Sequence, residues 1–102
     1  DALVYVGDAV EEDIDELGGR AGQLALHGVP VFLFQEGRDA SAEQGFREIA
    51  RLTKGAYCRF DAGSAAQLRE LLTAVAVYAA GGRKALTALS GRGARLLLEQ
   101  MK

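Results

Sequence analysis

Asp8 is the residue whose surroundings best suit it to chemistry. It follows the apolar run Leu3-Val-Tyr-Val-Gly7 and precedes the acidic segment Glu11-Glu12-Asp13, which opens a helical pattern. An apolar run without alternating polar positions suits a strand buried on both faces, as in a parallel sheet covered by helices. In open α/β sheets ligands bind beyond the carboxyl ends of the strands, so a carboxylate there meets whatever the fold binds. Glu36 falls at the end of a second such run, Val29-Pro-Val-Phe-Leu-Phe34. Asp8 and Glu36 are therefore candidates for acid and base. That role needs one carboxyl group desolvated, and no sequence feature supplies a closed cleft, so exposed strand-end acids are the simpler reading.

Other chemistries lack their residues. Cys58 is the only cysteine, which rules out an intrachain disulfide and fits a reducing cytoplasm. It alternates with Ala56 and Phe60 as a small core residue, with no neighbouring charge to make its thiol reactive. His27, the only histidine, sits at a predicted helix end without a cysteine or histidine nearby, so zinc is unsupported. No phosphate-binding Gly-x-x-x-x-Gly-Lys-Ser/Thr, Gly-x-Gly-x-x-Gly or Gly-x-Ser-x-Gly occurs after any strand. The net charge of −2 gives no pull toward nucleic acid or membrane. Acidic residues crowd the start and basic ones the end, a split that marks an electrostatic partner or, more simply, two solvated faces. The single Gly91-Arg-Gly93 has no aromatic stacking partner to suggest RNA. No hydrophobic run reaches membrane length.

The elements that position these residues alternate strand and helix. From Glu11, Ile14, Leu17, Ala21 and Leu24 recur at helical spacing, and Gly18, Gly19 and Gly22 suggest close packing onto a sheet. His27-Gly28 ends that helix. Ser41 with Gln44 has capping-box spacing before the stripe Phe46, Ile49, Ala50 and Thr53, which Gly55 closes. Ala56 to Asp61 is a third strand with one wetter face, Tyr57, Arg59 and Asp61, so an edge position is expected. Ser64 with Gln67 repeats the capping spacing and opens the strongest helix, which Gly81-Gly82 should stop. Lys84 to Leu89 reads as a short helix, and Ala94 to Lys102 as a last helix or a strand. The fold class is α/β, a Rossmann-like parallel sheet with alternating β-α units. Residues 1–89 form its main unit and 90–102 a basic tail or short helix. Asp1 leads straight into a buried strand, as if the chain were cut from something longer.

The order of buried strand, Gly7-Asp8, acidic helix, His27-Gly-Val-Pro-Val-Phe-Leu-Phe34 and Leu52-Thr-Lys-Gly-Ala-Tyr57 resembles the second half of a von Willebrand factor A domain. Val6-Gly7-Asp8 with Glu11-Glu12, Phe34-Gln-Glu-Gly37, and Tyr78-Ala-Ala-Gly-Gly82 with Lys84-Ala-Leu86 resemble an uncharacterised, mostly proteobacterial group of such domains. The resemblance implies a metal-ion-dependent adhesion site, where three loops hold Mg²⁺ at the carboxyl end of the sheet. Asp8 matches the aspartate of the third loop, with Gly7 where many relatives have threonine. The Asp-x-Ser/Thr-x-Ser of the first loop is absent, since Asp39-Ala-Ser41 follows the wrong strand and lacks the second hydroxyl.

On this resemblance residues 1–89 are the C-terminal half of such a domain. Asp8 is then a metal ligand of the complete parent, and Gly7, Glu11 and Glu36 border a surface for a protein partner. The chain alone should hold no Mg²⁺ tightly, because one carboxylate does not hold a strongly hydrated ion. The implied function is a non-catalytic, bacterial, cytoplasmic protein-binding module, with a small α/β enzyme using Asp8 and Glu36 as the alternative. The first strand of the complete domain, which would pair with Leu3 to Val6, is missing. A homo-oligomer through that strand is expected.

Overall fold

The computed structural model describes residues 2–7, 14–61 and 63–101, without the side chains of 14–18. Three strands, β1 (Leu3–Gly7), β2 (Val31–Glu36) and β3 (Ala56–Phe60), alternate with helices α1 (Ile14–Leu26), α2 (Ala40–Thr53) and α3 (Ala65–Ala88). A last helix, α4 (Arg92–Gln100), follows. The strands form one parallel sheet in the order β1-β2-β3, with Tyr5 opposite Leu33 and Leu33 opposite Tyr57. The architecture is the expected α/β, Rossmann-like one, and β3 stands at the edge.

The uninterrupted apolar run of β2 follows from its central place. Phe32 and Phe34 join Cys58, Phe60, Leu71, Val75, Leu86 and Leu97 on one face, while Val31 and Leu33 join Ala21, Phe46, Ile49 and Tyr57 on the other. Each large side chain buried this way contributes roughly 1.5–3 kcal/mol. The residues after Leu89 belong to the first of these clusters, because α4 buries Ala94 and Leu97 there. Gly93 permits this approach: a Cβ at that position would lie 2.6 Å from the Glu70 carbonyl oxygen of α3.

Several helix boundaries differ from expectation. Asp39, not Ser41, caps α2, its carboxylate accepting from Ala42 N–H at 3.0 Å. A carboxylate is as good a cap as a hydroxyl, and Asp39 has the extended backbone a cap requires. Ser64 does cap α3, accepting from Gln67 N–H at 3.4 Å. The Gln67 side chain, however, accepts from Asp61 N–H at 2.9 Å instead of returning to Ser64. Gly81-Gly82 does not end α3. The helix runs on to Ala88 across a kink at Gly82, whose φ of 74° and ψ of −166° only glycine adopts readily. Gly19 and Gly22 are not close-packing positions, since a Cβ at either would meet nothing within 4 Å.

Candidate functional site

Parallel pairing brings the predicted residues Gly7 and Glu36 to the same end of the sheet. Gly7 ends β1 opposite Gln35, and Glu36 ends β2 one residue further, opposite Phe60. Glu36 is half-buried. Gly7 lies under the Tyr5 ring, which would touch a Cβ there at 3.0 Å. Asp8 and Glu11 lie outside the described residues, so the structure does not place the predicted ligand. Among the described residues no three histidine, cysteine, aspartate or glutamate side chains are grouped to hold a metal ion.

What sequence reasoning missed at this end is Gln35. It is fully buried, its amide nitrogen donating to the Asp39 carbonyl at 3.0 Å and its amide oxygen accepting from the Tyr57 hydroxyl. The side chain thus ties the end of β2 to the cap of α2 and to β3, holding the strand ends in a fixed relation. Its signal was a polar residue interrupting an apolar strand whose two faces are both covered. Burial raises the Tyr57 phenol above its ordinary value, as does Glu43. The Arg47 guanidinium lies over the Tyr57 ring, 4.6 Å from its centre.

Two clefts lie away from the carboxyl end. One, of 490 Å³, gathers Arg47, Arg51, Lys54 and Arg83 beside Tyr57, Tyr78 and Gln100. Arg47 is paired with Glu43 at 2.7 Å and Arg51 with Glu48. Arg51 and Lys54 also sit at the C-terminus of α2, where cations offset the negative end of the helix dipole. The cleft's charge is thus largely matched within the fold. The other, of 680 Å³, runs between β1 and α1 and is lined by Leu3, Tyr5, Leu24, Leu26, Val31 and Leu33.

Cys58 is buried, which pushes its thiol up to about 11, with the Gln100 amide 3.7 Å away pulling the other way. A thiol held protonated near neutral pH is not a nucleophile. His27 is exposed past the end of α1. Among the described residues no helix is long and apolar enough to cross a membrane. Comparison with family models, with curated proteins and with solved structures finds no match.

Proposed function

We propose that the chain is a non-catalytic protein-binding module, the C-terminal part of a domain of the von Willebrand factor A type, and that the carboxyl end of its sheet meets the partner. The observation that carries this reading is the register of β1 on β2, with Gly7 beside Gln35 and Glu36 one residue beyond. Asp8 follows in sequence directly from that end of the sheet. On this reading Asp8 is one oxygen ligand of a Mg²⁺ whose remaining ligands come from the rest of the domain, with one coordination position left to a partner's carboxylate. Gly7, Glu11 and Glu36 border that contact. Acid–base catalysis by Asp8 and Glu36 needs a desolvated carboxyl group, and Glu36 is only half-buried.

The test is calorimetric titration of the full-length parent with Mg²⁺ and Mn²⁺. Saturable binding that disappears in Asp8→Ala is expected, with no tight binding by the 102-residue chain alone. A parent that binds neither ion, or binds equally well after Asp8→Ala, overturns the reading.

A further inference from the structure

The outer edge of β1 supports an inference that does not depend on the carboxyl end. Leu3 N–H donates to the Pro30 carbonyl at 3.1 Å, which fixes the facing of the strand. Successive residues of a strand turn their backbone groups to opposite sides. Leu3, Tyr5 and Gly7 therefore turn theirs toward β2, and Val4 and Val6 turn theirs outward. No described residue claims these outward N–H and C=O groups. Leu3 and Val6 are 45% and 44% exposed, and the 680 Å³ cleft, mostly apolar but lined also by Arg20, Gln23 and His27, opens beside the strand. Leu3 to Gly7 contains no charge and no proline, the usual guards of a free edge.

We propose that two copies of the chain join through β1, antiparallel, to make one continuous six-stranded sheet. A closed pair related by a two-fold axis must present the same patch on both sides, and for an edge strand that means antiparallel pairing. The sequence suits such an axis at Tyr5, because Val4-Tyr5-Val6 reads the same in both directions. Val4 then faces Val6 of the second copy, and Val6 faces its Val4. Each pair exchanges both backbone hydrogen bonds, four in all. Leu3, the bulkiest exposed side chain of the strand, falls opposite Gly7 of the second copy. The aromatic and β-branched pairs across the junction are those that stabilise neighbouring strands best. A strand supplied in cis by a longer chain would compete for this edge, so the test uses the 102-residue chain.

Sedimentation or light scattering over a dilution series should show a dimer for the wild type. Val6→Lys should weaken it at least 10-fold. Val6→Pro should do likewise, because it removes an outward N–H while leaving the β1–β2 ladder intact. An unchanged circular dichroism spectrum verifies that each variant is folded. Under mild oxidation Tyr5→Cys should form a linked dimer. Leu3→Cys should not, because the two Leu3 positions stand about 13 Å apart in this register. Wild type, with only the buried Cys58 thiol, should stay unlinked. A wild type that is monomeric throughout, association unchanged by Val6→Lys, or linking by Leu3→Cys in preference to Tyr5→Cys overturns the proposal. None of these outcomes bears on Mg²⁺ binding by the parent, so the two readings fail separately.

Discussion

At the β3 edge the side chain of Gln100 takes the place of a further strand, whereas along the β1 edge no described residue does so. The Gln100 amide oxygen accepts from Tyr57 N–H at 2.6 Å, and its amide nitrogen donates to the Tyr57 carbonyl. The Gln67 side chain likewise accepts from Asp61 N–H. Between them stands Arg59, exposed and charged, 3.8 Å from the Glu43 carboxylate. The β3 edge is thus closed by two amides and guarded by a cation, while β1 ends in half-exposed Leu3 and Val6. Both edges belong to one sheet and face the same solvent, so the difference lies in what the chain brings to them. The proposed pairing through β1 rests on that difference.

The largest effect comes from crowding the start of β3 against β2. A Cβ on Gly55, just before β3, would overlap the Val31 carbonyl group, with its carbon at 2.6 Å and the Val31 nitrogen at 2.8 Å. Backbone cannot swing aside as a side chain can. Gly55→Ala should therefore lower stability by about 4 kcal/mol or more, measured by urea denaturation.

A milder way to load the same side is pH. The Cys58 thiol rises from an ordinary value near 9 to about 11 in the fold. Above the ordinary value the unfolded chain releases this proton while the folded chain keeps it, so stability falls as pH rises. The loss should begin near pH 9 and approach roughly 3 kcal/mol as pH reaches the folded value. Tyr57, raised as well, adds to the loss at higher pH. Denaturation midpoints across this window should slope downward in wild type and less steeply in Cys58→Ala. Equal slopes would show that burial does not hold the proton.

Next in size is Gln100→Ala, which removes both bonds to Tyr57. At about 1 kcal/mol net for each hydrogen bond, a loss of about 2 kcal/mol is expected. The variant should also associate more readily, because Tyr57 would present free backbone groups at a second edge. Light scattering that shows no added association would mean that α4 shields β3 without help from the amide.

How much of this was legible follows from how local each cause is. β2 could be read because burial on both faces leaves an uninterrupted apolar run, and the α2 stripe because Phe46, Ile49, Ala50 and Thr53 are all buried as their spacing implies. The cap of α2 was misread because Asp39 and Ser41 are both good caps, and local backbone conformation chose between them. Leu96-Leu-Leu98 fitted helix or strand. What decides is distant, namely Gly93 against the Glu70 carbonyl and Leu97 in the same buried cluster as Phe32 and Phe34. Gln100 gave no signal at all, since its partner lies 43 residues away. Of the candidate site, adjacent strand ends could be read, and Gly7 and Glu36 do share one end. Asp8 and Glu11 lie outside the described residues.

The smallest effect sharpens the contrast from the open side. Gly7→Ala places its new Cβ 3.0 Å from Cε1 of the Tyr5 ring and 3.4 Å from the hydroxyl oxygen. The tyrosine is half-buried, packing on Phe46 with ring centres 5.4 Å apart, and its far end can move by rotating about its own bonds. An overlap relieved by a side chain costs little, and a strand is in any case stiffened when glycine gives way to alanine. Gly7→Ala should therefore change stability by less than about 1 kcal/mol, against the much larger loss at Gly55. The same urea titration measures both. A loss at Gly7 as large as that at Gly55 would mean that the Tyr5 ring is held as rigidly as the Val31 backbone.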